Sequence, residues 1–296
     1  MLSGLIQKLL GRENVQPLEQ SPVDRLDESG IRQQLEELIA QAKDATAFGN
    51  ALANALEHKP EIVGRAINAR VVHYQWLSQI GLLLERFDID TVIDGGANTG
   101  QFATTLFGSA LFKGDIHSYE PLEKEFQIMK GYQQHYPRWQ IFNAAIGDVE
   151  GQTEINISGE TSSLLARTAI MDKVAGQEAA PATQVVTVKR IDSLYRDLLL
   201  DDRKRVMLKL DVQGFEERAL RSAGDLLKKF KLVQIELAGM AMYDGDVRIP
   251  QCLKLMEDEG FVLIYAKNNY VVQEAVAVDF DFVFCRRSEF EAMQLA

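Results

Sequence analysis

From about Asp90 onward, short and almost wholly apolar runs alternate with amphipathic stretches, and few folds accept that rhythm. Thr91–Asp94 (TVID), Asp115–Glu120 (DIHSYE), Trp139–Asn143 (WQIFN), Val206–Asp211 (VMLKLD) and Leu232–Leu237 (LVQIEL) read as strands. Helical patterns such as 122–134 and 215–221 separate most of them. Strands that are apolar throughout belong to a sheet covered on both faces. Parallel strands also need connections long enough to hold a helix, and these crossovers are right-handed. The pattern therefore predicts an α/β fold built on a doubly wound, mostly parallel sheet. Phe261–Ala266 and Phe280–Cys285 have no clear helix between them, which suits an antiparallel pair at the end of the sheet. The stretch 151–190 holds TEINIS and QVVTVK around a Ser/Gly/Ala-rich segment. It reads as an insertion with extra strands and a mobile loop over the site.

The first 88 residues have a different texture. Leu2, Leu5, Ile6, Leu9 and Leu10 share one helical face. The polar stretch around 14–29, with Pro17 and Pro22, reads as a linker, and helical spacing resumes from Ile31 to about Leu84. The expected organisation is a helical N-terminal extension, 1–88, followed by a ligand-binding domain, 89–296. The first apolar face packs on its own protein or on a partner subunit, or residues 1–12 touch a membrane surface weakly. Apolar helix faces with no assigned partner suggest a homo-oligomer.

Composition closes off other classes. The 296 residues are 46% hydrophobic and 25% charged, enough apolar material for a full core and too much for a disordered chain. No apolar run approaches the roughly 18 residues that would span a bilayer. With 32 Lys+Arg against 43 Asp+Glu, the net charge of −11 disfavours phosphate backbones, so no nucleic acid partner is expected. Cys252 and Cys285 form no CxxC or Cys/His cluster and read as small core residues. The apolar start is short, is interrupted by Gln7 and Lys8, and lacks a small-residue cleavage site, which predicts a cytoplasmic protein.

The densest chemical signal is Asp94-Gly95-Gly96-Ala97-Asn98-Thr99-Gly100, which follows a buried strand and opens a helix. Open α/β sheets bind ligands at the carboxyl ends of their strands, near the switch in strand order. Glycines there let the backbone turn sharply and let a ligand approach. Glu120 ends the next strand, where an acidic residue accepts hydrogen bonds from ribose hydroxyls. Both NAD and S-adenosylmethionine carry adenosine, so this pair alone does not choose between them. Ala97 stands where GxGxxG has its middle glycine, which helps accommodate a pyrophosphate. Asp94 would repel a pyrophosphate but could organise an amino-acid ammonium or the loop itself. These details favour S-adenosylmethionine. A nicotinamide-dependent oxidoreductase and a non-catalytic binding or assembly module are the alternatives.

An ordered series of motifs resembles the FkbM-type family of S-adenosylmethionine-dependent methyltransferases. It comprises VIDGGANTGQFA (Val92–Ala103), SYEP (Ser118–Pro121), NAAIGD (Asn143–Asp148), TSSLL (Thr161–Leu165), VKRIDSL (Val188–Leu194), LKLDVQGFEERAL (Leu208–Leu220), IEL (Ile235–Leu237), Tyr243-Asp244-Gly245 and DFVF (Asp281–Phe284). The resemblance implies a seven-stranded Rossmann-like methyltransferase sheet with an antiparallel last strand. It implies that Asp94, Gly95, Gly96, Ala97, Asn98 and Gly100 hold the methionine part of the cofactor. Glu120, with Pro121 beside it, would hold the ribose, and Ala145 and Ile146 would meet the adenine. Asp148 would reach the adenine amine or shape the turn. The implied acceptor is a hydroxyl on a sugar, a glycan precursor or a secondary metabolite.

On the acceptor side, alternation places Lys209 and Asp211 on one face of their strand. Asp211, at the carboxyl end, should lie near the transferred methyl, where a carboxylate can position a hydroxyl or take its proton. Glu236 is its natural partner, and together they could instead hold a divalent metal that acidifies the hydroxyl. Lys209 reads as an ion-pair partner of Glu216 or Glu236, or as a catalytic group. Ser162 and Ser163 are expected to shape the loop, His117 to be a satisfied core residue, and His58, His73 and His135 to be surface or interface groups.

Overall fold

A computed structural model describes Trp76 and residues 78–294, apart from 109–111, 176–181, 202 and 273–275. By compactness the chain divides into Met1–Trp76 and Leu77–Ala296. The helices expected before residue 76, the 1–12 face, the 14–29 linker, His58 and His73 lie outside the described residues. A helix at 78–86 belongs to the second unit, ahead of the boundary expected at 88.

The main sheet has seven strands in the order β3-β2-β1-β7-β8-β10-β9. At its centre β1 (Thr91–Gly95) is flanked by β2 (Asp115–Tyr119), then β3 (Trp139–Phe142), on one side. On the other lie β7 (Val206–Leu210), β8 (Leu232–Ala238), β10 (Val276–Arg286) and β9 (Phe261–Val272). The first five of these pair in parallel, while β10 runs antiparallel to both its neighbours. The doubly wound sheet with a reversed last strand is thus realised. Winding changes direction between β1 and β7, so the ligand-binding crevice belongs at their carboxyl ends.

Every residue of β1 and β7 is buried, as a central strand covered on both faces demands. One sheet face is mostly apolar. Ile93, Tyr119, Leu208, Leu210, Val233 and Ile235 pack there against Ile191, Leu194, Ala219 and Leu220 of the helices Ile191–Asp197 and Glu216–Ser222. The opposite face carries a transverse polar row: Ser118, Asp94, Lys209 and Gln234 stand in register across β2, β1, β7 and β8. The Trp139 indole extends it, donating to Ser118 Oγ at 3.0 Å.

A second sheet, in the order β4-β6-β5, joins β4 (Ala145–Gly147), β6 (Ala182–Arg190) and β5 (Gly151–Ile157). These are the extra strands read in 151–190. Arg190 anchors this sheet to the core, donating to the carbonyls of Asp148 (2.7 Å) and Ser222 (3.0 Å). The segment between β5 and β6 reaches the carboxyl edge of the main sheet, where Thr168 Oγ1 donates to the Ala241 carbonyl at 2.8 Å. β9 continues past the apolar run ending at Ala266 into Lys267-Asn268-Asn269. A strand at the edge of a sheet can keep polar residues in its ladder, so the pairing outruns the apolar pattern. Cys252 and Cys285 are buried and free. No described helix is long and apolar enough to cross a membrane.

Candidate active site

The glycine loop is clamped by the protein on both sides. The amides of Gly96 and Ala97 both donate to the Tyr119 carbonyl at 3.1 Å, and the Asp211 amide donates to the Gly95 carbonyl at 3.1 Å. Gly96 has φ +74°, and a Cβ there would overlap the Asp211 carbonyl oxygen. A Cβ on Gly100, φ +86°, would overlap the Trp139 ring. The positions expected to admit a ligand are therefore filled by the end of β7 and by Trp139. Glycine is needed so that the loop can lie flush against them. Asn98, φ +50°, is the non-glycine residue that tolerates this region best. The loop opens the helix Gln101–Gly108, as expected.

Glu120 sits just past β2 and is buried. Its Oε2 accepts the Asn98 amide at 2.8 Å and its Oε1 the Leu122 amide at 2.9 Å. Burial pushes its carboxyl up to about 7, against the pull of the Leu122 and Asn98 amides. Each carboxylate oxygen can accept two hydrogen bonds, so one acceptor position on each is left. Those two acceptor positions fit the two neighbouring hydroxyls of a ribose. Pro121 follows, its carbonyl taking the side-chain amides of Asn143 (3.1 Å) and Gln184 (3.2 Å). Ala145 and Ile146 are buried, and the Ile146 side chain lies in the core, where a Cβ on Gly95 would come within 2.8 Å of its Cδ1.

Asp94 is fully buried behind the loop. Its Oδ2 accepts the Ser118 hydroxyl at 2.8 Å, and its Oδ1 stands 3.3 Å from Lys209 Nζ, an ionic contact off the line of a hydrogen bond. Of its two expected roles, organising the loop is the one these contacts carry. Lys209 is not paired with Glu216 or Glu236, contrary to expectation. Its ammonium lies between Asp94 and Asp211 (3.4 Å), donates to the Gly96 carbonyl at 3.1 Å, and rests 5.6 Å from the Phe102 ring centroid. Burial opposes its charge, but the carboxylates of Asp94, Asp211 and Glu236 outweigh this and raise its pKa. Glu216 instead faces the loop after β7, where Oε1 accepts the amides of Val212 (2.9 Å) and Gly214 (3.2 Å). Burial pushes the Glu216 carboxyl up to about 8.

Asp211 and Glu236 do come together. The Gln213 side-chain amide joins them, donating to Asp211 Oδ1 at 2.9 Å and to Glu236 Oε2 at 3.0 Å. The Asp211 side chain keeps 30% of its surface exposed. Burial would raise its carboxyl, but the adjacent Lys209 ammonium and the hydrogen bonds from Glu236 and Gln213 hold it below its ordinary range. Glu236 moves the other way, raised by burial and by the Asp211 charge. The two carboxyls are thus driven in opposite directions, Asp211 toward its charged form and Glu236 away from it. Among the described residues no group of three or more His, Cys, Asp or Glu side chains is disposed to hold a metal ion. Asp211 and Glu236 each turn one oxygen to the shared Gln213 amide.

Several residues of this edge had no expected role. Gln213, Tyr243, Asn269, Asp279 and Asp281 all enter the network. Asn269 Nδ2 donates to Glu236 Oε1 at 2.9 Å, and Gln234 Nε2 donates to Asp281 Oδ1 at 2.9 Å. Burial pushes Asp279 up to about 6. Gln213 and Tyr243 lie inside motifs quoted above, and a polar residue before a glycine was the available sign of a left-handed turn. Ser162 and Ser163 shape their segment as expected: the Ser158 amide donates to Ser162 Oγ (2.8 Å), and Ser163 Oγ donates to the Gln213 carbonyl (2.6 Å). His117 is buried as expected, but its Nδ1 has no hydrogen-bond partner, and burial lowers its pKa. His135 is exposed.

A doubly wound sheet with a reversed last strand, a glycine loop after β1 and a ribose-competent acid after β2 define a nucleoside-binding site of the S-adenosylmethionine-dependent methyltransferase class. The Methyltransferase FkbM domain matches residues 94–263, more than half of the chain, and the chain belongs to that family. No curated protein matches. Among solved structures, the chain is similar to magnesium protoporphyrin IX methyltransferase from Synechocystis PCC 6803 with bound S-adenosylmethionine. The identity is 11%, covering 88% of this chain and 98% of that one, with a TM-score of 0.41. It is also similar to fibrillarin from Aeropyrum pernix, crystallised with S-adenosylmethionine (11% identity, 66% of each chain, TM-score 0.39).

Proposed function

We propose that this methyltransferase transfers the methyl group to a hydroxyl oxygen of a sugar, a glycan precursor or a secondary metabolite, with Asp211 taking the hydroxyl proton. The observation that carries the reading is an ionised, part-exposed carboxylate at the carboxyl end of β7, beside the switch point. Bound S-adenosylmethionine supplies an electrophilic methyl on its sulfonium. Everything else falls to the chain. Glu120 anchors the ribose through the two acceptor positions that its amides leave. The 94–100 loop carries the methionine end, positioned by Asp94 from behind rather than by contact. Ala145 and Ile146 border the adenine.

At the acceptor, Asp211 aligns the hydroxyl and removes its proton as the oxygen attacks. Lys209 keeps Asp211 ionised before the step. Glu236, holding its own proton, leaves that charge undivided. The net charge of −11 argues for an acceptor other than nucleic acid. The apolar faces before residue 88 argue for self-association.

The test is a labelled-methyl transfer screen over glycan and metabolite hydroxyl acceptors, with and without Mg²⁺, in wild type and Asp211→Asn. Methylated hydroxyl product from wild type, with the variant binding cofactor normally but turning over at least about a hundredfold more slowly, supports the reading. Full activity in Asp211→Asn, or methylation confined to nitrogen, overturns it.

A further inference from the structure

Gln213 occupies a backbone conformation that glutamine rarely adopts, φ +52°, followed by Gly214 at φ +93°. Glycine would take that first position more easily, so the side chain's contacts are what favour glutamine there. Every polar atom of that side chain is engaged. Nε2 reaches Asp211 Oδ1 and Glu236 Oε2, one hydrogen bond to each acid, and Oε1 lies 2.9 Å from the Tyr243 hydroxyl. The chemistry fixes the amide's orientation, because turning it over would set its oxygen against both acids.

Tyr243 is held just as tightly. A Cβ on Gly214 would come within 2.8 Å of its ring, so ring and backbone lie flush. Its hydroxyl is also 3.0 Å from the Thr161 carbonyl. The Gln213 carbonyl receives Ser163 Oγ at 2.6 Å, and that oxygen accepts the Leu165 amide at 3.0 Å. Leu165, Tyr243, Phe215 and Met242 then close over these bonds in one apolar cluster.

We propose that Gln213 is the positioning residue for Asp211, and that Tyr243 ties it to the 158–165 segment, so that the acid and the segment over the sheet edge form one hydrogen-bonded unit. The inference rests on Asp211 being the proton acceptor of the reading above. Hydrogen bonds donated to a carboxylate favour its charged form, so loss of the Gln213 donor weakens the ionisation of Asp211. The other groups facing Asp211 stay in place: Lys209 from its own strand, Glu236 from β8, Asp279 and Asp281 from β10, and Glu216 from the following helix.

The experiment is a carboxyl-¹³C NMR titration of the full chain, labelled at Asp and Glu, with S-adenosylhomocysteine bound. Asp211→Asn and Glu236→Gln assign the two signals. Gln213→Ala should raise the Asp211 midpoint by about one pH unit. Tyr243→Phe, which keeps the ring against Gly214, should raise it by less, because the amide is freed to rotate. An unmoved midpoint in Gln213→Ala overturns the positioning role. A midpoint unmoved by Tyr243→Phe overturns the link to the segment. Should Gln213→Ala fail to fold, Tyr243→Phe alone decides, since any upward shift then supports the unit and none overturns it. The titration needs no acceptor, so its outcome is separable from that of the Asp211→Asn turnover screen.

Discussion

The ends of β2 and β7 carry the same chemical group in opposite states. Glu120 meets two backbone amides and, among the described residues, no ion-pair partner, and burial lifts it to about 7. Asp211 meets the Lys209 ammonium and the Gln213 amide and stays below its ordinary range. A buried carboxylate is costly to charge, and neutral amides compensate only in part, whereas a desolvated cation a few ångströms away compensates fully. The contrast suits one acid to anchoring hydroxyls and the other to accepting a proton. Separating titratable groups by environment in this way is how one fold assigns different tasks to like side chains.

Breaking the β7 end should have the largest effect. Asp211→Asn is expected to reduce turnover by roughly 10²–10⁴-fold while leaving cofactor affinity by calorimetry unchanged. Lys209→Met strands the buried Asp94 carboxylate, and chemical denaturation should show a loss of about 3–5 kcal/mol. Adding Asp94→Asn to that variant should recover much of it; no recovery would mean that the lysine serves packing alone. At the β2 end, Glu120→Ala should weaken S-adenosylmethionine binding by about 10–100-fold.

The pH dependence sharpens the same comparison. A ribose donates to the ionised Glu120, so affinity should fall as pH drops below about 7, by up to tenfold per pH unit, and Glu120→Gln should abolish that slope. The smallest effect belongs to Glu216, raised to about 8 when folded. The folded state holds this proton more tightly than the unfolded one, so stability falls as pH rises from about 4.5 to 8. Glu216→Gln should therefore stabilise the protein by about 1–2 kcal/mol at pH 8 and change little at pH 4.5, as read by thermal melts. A constant difference across that range would show that Glu216 is not protonated in the fold.

Much of the scaffold was legible because it is written locally. TVID, VMLKL and LVQIEL are mostly apolar, and each is a largely buried strand of the main sheet. The glycine loop and Glu120 announced the crevice by residue type and by their places after strands. Partnerships were not legible. Lys209 finds Asp94 because β1 and β7 are neighbours in register, a fact of topology that no spacing within VMLKLD carries. Gln213 looks like an ordinary loop residue until its left-handed backbone aims its amide between two acids. The glycines themselves were found for an incomplete reason: Gly96 and Gly100 make room for Asp211 and Trp139.

The overlap that any side chain at Gly96 would make with the Asp211 carbonyl fuses the glycine loop to the end of β7. Neither can drift without the other, so the spacing between the loop and Asp211 moves as one block.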